Sequence, residues 1–148
     1  MKKQVLLVIA IAFLLLPLSM TAQKDIVGTW KTIDDDGVTE KSYVQIYKEG
    51  NVYKGKIIDI IKTEDKNNKC TKCATDDPRY NKPIVGMIII DKLKKVDDNE
   101  WDDGEILDPS SGSVYDCKMY IDAKGDLIVR GYMGWSLIGR SQTWKKQK

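Results

Sequence analysis

"SVYDCKMYIDAKGDLIVRGYMG" runs from Ser113 to Gly134. In its first half Tyr115, Cys117, Met119 and Ile121 alternate with Asp116, Lys118 and Asp122. In its second half Leu127, Val129, Gly131 and Met133 form the apolar row, with Arg130 and Tyr132 opposite. A period of two sends one row to a buried face and the other to water. The "AKGD" between them, Ala123 to Asp126, is turn chemistry. The stretch therefore predicts two antiparallel strands of a sheet with one apolar face.

The same grammar extends in both directions. "DIVGTWKTI" leads to the Asp-Gly turn "DDDG" (Asp34 to Gly37), then "VTEKSYVQIYK", "EGN" and "VYKGKIIDII", where Tyr53, Gly55, Ile57 and Ile61 form an inward row. A long polar segment, Lys62 to Lys82, precedes "PIVGMIII", "EWDDGEIL" and the turn "DPSSG"; "WSLIGRSQTW" closes the series. No segment sustains a 3.6-residue apolar period, so long helices are not expected. About eight short strands at nearly regular spacing predict an all-β, antiparallel, eight-stranded barrel, with a two-sheet β-sandwich as the alternative. Closure is the simpler way for a sheet of this size to be rid of exposed edges.

The N-terminus reads differently. Lys2 and Lys3 precede the apolar run "VLLVIAIAFLLLPL" (Val5 to Leu18), and "SMTAQ" offers a small-residue cleavage site after Ala22. That is the pattern of a secretory signal peptide, residues 1–22, followed by one domain over 23–148. The apolar run is short for a membrane span, so no integral span is expected once the signal is removed. The chain carries 24 Lys+Arg against 22 Asp+Glu, and Lys2 and Lys3 account for the +2. A balanced, mixed-sign surface gives no electrostatic footprint for nucleic acid. The expected location is periplasmic or extracellular.

"GTW" (Gly28 to Trp30) on the first strand resembles the G-x-W signature of lipocalin-like barrels. That resemblance implies an arginine from the last strand lying over the indole, and Arg140 is the matching residue. The first and last strands become neighbours when a sheet closes, and a guanidinium stacks well on an indole. "GTW", the paired cysteines, "GEILDPSSGSVY" and "VRGYMGWSLIGRSQTW", in that order, resemble a family of secreted bacterial proteins known only as domain of unknown function 2147. The resemblance covers the mature chain and implies a lipocalin-like β-barrel outside the cytoplasm. It implies no activity.

Three cysteines leave one over. Cys70 and Cys73, in "CTKC", make a small-loop disulfide, with Cys117 a buried free thiol on the apolar row; pairing of Cys117 with Cys70 or Cys73 is the alternative. There is no histidine. Ser-His and Cys-His nucleophile systems and the commonest general base are thereby absent. Three thiols with no second C-x-x-C do not complete a zinc shell, and the carboxylate runs sit in turn sequence, where Asp satisfies local backbone donors. No catalysis, metal or cofactor is expected.

Two functions remain. In the first, the barrel binds a small apolar or amphipathic molecule, with Tyr43, Tyr47, Tyr53, Tyr115, Met119 and Met133 lining its interior. In the second, the barrel is a ligand-free structural or interaction protein of the cell envelope, using the cysteine-pinned loop 62–82 as its contact surface.

Overall fold

The computed structural model describes residues 24–135 and 138–148. The expected signal peptide, 1–22, lies outside the described residues. Eight strands follow one another: β1 (Gly28–Ile33), β2 (Glu40–Glu49), β3 (Val52–Ile60), β4 (Ile88–Asp97), β5 (Glu100–Asp108), β6 (Ser113–Ile121), β7 (Leu127–Tyr132) and β8 (Gly139–Lys146). One short 3-10 turn, Thr63–Asp65, interrupts the segment between β3 and β4. Each strand pairs antiparallel with the next, and β8 returns to β1. The hydrogen-bonded circuit is complete, which overturns the two-sheet alternative.

The circuit closes over a short ladder. Trp30 faces Lys146 and Lys31 faces Lys145, and the Gln147 amide donates to the Thr29 carbonyl at 2.9 Å. Here the structure corrects the expected Trp30–Arg140 pair. β8 is antiparallel to β1, and Arg140 lies six positions before Lys146, about 20 Å further along the strand at the usual rise. The cation over the Trp30 ring is the Lys146 ammonium, 5.2 Å from the ring centre. Arg140 lies at the other end of the barrel.

That arrangement recurs around the closed end. Lys48 sits 5.7 Å over Tyr53 and Lys95 sits 5.3 Å over Trp101. In all three cases ring and cation are direct register partners on neighbouring strands. Cross-strand partners share a face, so a lysine at the strand end folds its stem over an inward aromatic. Trp30, Trp101 and Tyr53 are all buried, Tyr53 meets Trp101 edge-on at 6.1 Å, and Ile26, Ile46, Leu93, Met119 and Leu127 fill the space between. The indole N–H of Trp30 donates to the Ile26 carbonyl at 2.7 Å, tying residues before β1 across this end.

Alternation holds where the ladders are regular and shifts where they are not. Cys117, Met119 and Ile121 are buried on β6, and Leu127 and Val129 on β7. On β3 the register slips between Tyr43 and Val44, leaving Ile58 without a partner on β2. Ile60 therefore turns inward, not Ile61 as alternation predicts. On β4 an extra residue between Ile90 and Leu93 is taken up at Lys92, whose φ is +60°. This bulge carries the strand through "DKLKKVD", beyond the apolar run that marks it in the sequence.

Candidate functional site

The β1–β2, β3–β4, β5–β6 and β7–β8 connections fall at the opposite end. Residues 34–39, 61–87 and 109–112, with 133–135 and 138, surround a mouth that leads into a cavity of about 390 Å³. Its apolar wall includes Ile57, Ile60, Ile84, Ile89, Val129 and Trp144. Its polar rim holds Asp34, Lys41, Asp65, Asn68, Asp108, Arg140 and Gln142.

β8 supplies the wall from rim to floor. Arg140, Gln142 and Trp144 recur at every second position and all line the cavity. Arg140 donates to Asp35 at 2.7 Å and to Asp108 at 3.2 Å, and its guanidinium lies 5.8 Å over the Tyr115 ring. The Gln142 amide donates to the other Asp35 oxygen at 2.6 Å and accepts from the Trp144 indole N–H at 3.1 Å. Asp35 belongs to the turn after β1, so these bonds join β1 to β8 where the backbone ladder, which ends at Lys31↔Lys145, no longer does. Gly131 faces Arg140 in the β7–β8 register and leaves open the path the guanidinium takes to Tyr115.

The segment between β3 and β4 is the other wall. Cys70 and Cys73 form a disulfide with Cα atoms 5.4 Å apart, and Cys117 is free and buried. Backbone bonds fold the loop on itself: Cys70 N–H to Lys82 O at 2.9 Å, Asn81 N–H to Cys70 O at 2.9 Å, Ile84 N–H to Asn68 O at 3.0 Å. Arg79 grips both oxygens of Asp77 at 2.7 and 2.9 Å and reaches the Ile88 carbonyl at 3.3 Å. The bidentate guanidinium holds the Asp77 carboxyl down to about 2. The buried disulfide backs onto the β5–β6 turn, with Cys70 Sγ 3.8 Å from the Pro109 carbonyl oxygen. At Gly112, where φ is +76°, a Cβ would stand 1.8 Å from the Lys72 carbonyl oxygen. Only glycine fits that seat.

Of the six side chains expected to line the interior, Tyr115 does so. Tyr53 and Met119 point inward but belong to the packed half of the barrel. Tyr43 and Tyr47 flank the inward Val44 and Ile46 and so lie on the outer face. Met133 lies past the end of β7 and is exposed, as are Trp135 and Ile138 in the turn beside the mouth. The sequence reading missed Asp35, Asp65, Asn68, Ile84, Gln142 and Trp144. Gln142 and Trp144 carry the same two-residue period that identifies β6 and β7; the loop residues carry no such signal.

The site offers apolar contact below a polar rim in which Arg140, Gln142 and Lys41 are held by carboxylates. Burial pushes the Cys117 thiol pKa well up, so the thiol stays protonated and inert. Among the described residues no group of three or more Cys, Asp or Glu side chains is placed to hold a metal ion, and no helix is long and apolar enough to cross a membrane.

Fold and mouth together define a small lipocalin-like β-barrel, packed at one end and open at the other. The chain belongs to domain-of-unknown-function family 2147, described as uncharacterised proteins conserved in bacteria; the family model matches residues 28–146. Among solved structures it is similar to protein HP1028 of the human pathogen Helicobacter pylori, which is described as belonging to the lipocalin family. The two are 19% identical over 84% of each chain, with a TM-score of 0.73. No curated protein matches the chain in sequence.

Proposed function

We propose that this chain is an exported binding protein whose mouth takes up one small amphipathic molecule and does not transform it. The observation that carries the reading is the cavity of about 390 Å³ with isoleucine-rich walls below a polar rim. Ligand pockets of small-molecule size begin at about 300 Å³ and combine an apolar lining with a few placed polar groups. The lysine-capped aromatic layer at the other end leaves one entrance. The signal-like N-terminus supports export to the periplasm or beyond, with 23–148 as the working domain.

The loop 62–82, the contact surface of the alternative reading, contributes Asp65 and Asn68 to the rim. This favours a role as cavity wall over a role as a free docking loop. The test is intact mass in native and denaturing conditions on protein purified from its own envelope. A small molecule carried in the native state and lost on denaturation is the expected result. Repeated absence of added mass, together with no change in Trp144 emission on titration with an apolar fluorophore, would overturn the reading.

A further inference from the structure

The charges at the mouth are unequally spoken for. Asp34, Asp65 and Asp108 line the cavity with Asp35 just outside, against two cations, Lys41 and Arg140. Both cations are already held: Lys41 lies 3.4 Å from Asp34, and Arg140 bridges Asp35 and Asp108. An anionic head group would have to displace one of these carboxylates. It would also add negative charge to a mouth that already carries an excess of it, a cost that rises where solvent is partly excluded.

Asp65 is the carboxylate left over. It accepts one bond, from the Asn68 side-chain amide at 3.0 Å, and forms no salt bridge among the described residues. The adjacent lysines are engaged elsewhere, Lys62 with Glu64 at 2.8 Å and Lys66 with Asp59 at 2.9 Å. Asp65 stands just beyond the end of β3, whose Ile57 and Ile60 line the cavity; Ile84, bonded to the Asn68 carbonyl, lines it beside them. A carboxylate that forms no salt bridge, with only the solvated, Glu64-paired Lys62 within electrostatic reach, thus borders an isoleucine wall.

Building on the small-ligand reading, we propose that the mouth selects amphiphiles with a cationic head, alkyl- or arylalkyl-ammonium compounds. Asp65 is the counter-ion of the head, and Ile57, Ile60, Ile84 and Ile89 seat the chain. The ammonium donates to the free Asp65 oxygen, and no existing ion pair is broken.

The test uses three probes with one chain length, octylammonium, octanol and octanoate, titrated into the mature protein at low ionic strength and followed by calorimetry. Octylammonium is expected to bind about two- to fivefold more tightly than octanol, the range for a partly exposed ion pair, with octanoate weakest. Added salt narrows that gap. Asp65→Asn, nearly isosteric, removes the ammonium preference, so that octylammonium then binds no more tightly than octanol to the same variant. Octanoate binding as well as octylammonium, or a preference that survives Asp65→Asn, overturns the assignment of Asp65. Octanol binding with no ammonium preference overturns the cationic class alone. Binding of none of the three overturns the small-ligand reading along with it.

Discussion

Arg140 shows how one side chain is decided by register. The sequence presents an arginine on the last strand and a tryptophan on the first, and a cation does cover that tryptophan. The cation is Lys146, because antiparallel pairing matches the end of β8 with the start of β1. The kind of contact was legible; its owner needed the strand offset, which no local pattern carries. Arg140 is about half exposed and held by two carboxylates, so Arg140→Ala is expected to lower stability by less than about 1 kcal/mol in a chemical-denaturation midpoint. A loss of several kcal/mol would place it in the core after all. Asp77 is the more consequential ion pair, since both its partners are largely withdrawn from water. Its folded carboxyl titrates near 2, below the ordinary 3.8, so its contribution is complete above about pH 4 and vanishes as pH falls through 2. Asp77→Asn should therefore cost about 1–2 kcal/mol at neutral pH. Acid titration of both proteins should show the gap closing near pH 2.

Among the elements, strands were readable in proportion to their regularity. β6 and β7 keep strict alternation and declare their inward rows. β3 and β4 contain bulges at Ile58 and Lys92, each of which reverses the parity of everything beyond it. On β2 the string "SYVQIY" alternates equally well with either row inward. The β-branched Val44 and Ile46 take the interior and send Tyr43 and Tyr47 outward. The segment between β3 and β4 has no period to read, yet it contributes Asp65 and Asn68 to the rim and Ile84 to the wall. Its anchorage makes two measurable claims. Gly112→Ala sets a Cβ against the Lys72 carbonyl at a backbone angle that side chains disfavour, and should destabilise the protein by about 2–4 kcal/mol. Thiol counting should give one reactive group per chain after denaturation and none before it, because Cys117 is buried and Cys70 and Cys73 are joined. A count of three would remove the disulfide.

At the scale of the whole molecule, the difference between the packed end and the open end comes down to what occupies the space above three inward glycines. A Cβ at Gly55 would meet Ile90 at 2.6 Å, and one at Gly104 would meet Leu93 at 2.7 Å; there the missing side chains are replaced by large neighbours, and the interior is full. At Gly131 the nearest atom to a Cβ is 3.5 Å away, in Tyr115, and the space beyond belongs to the cavity. The same substitution should therefore have opposite signs at the two ends. Gly104→Ala forces Leu93 and its backbone aside and should cost about 1–3 kcal/mol. Gly131→Ala adds a methyl in ordinary contact, at a strand position with no unusual backbone angle, and should be neutral or stabilising by up to about 1 kcal/mol. Enlarging the side chain separates stability from function. Gly131→Val fills cavity volume at a modest cost, because its methyls also crowd the path of the Arg140 guanidinium to Tyr115, so its thermal midpoint should fall slightly below that of Gly131→Ala. Its affinity for any occupant of the mouth should fall by about tenfold or more, since steric exclusion of even a methylene or two is worth roughly 1–3 kcal/mol. Thermal unfolding and ligand titration on the same preparations decide the matter. A Gly131→Val protein that unfolds normally and binds as tightly as the parent would mean that the open end is not where the ligand sits.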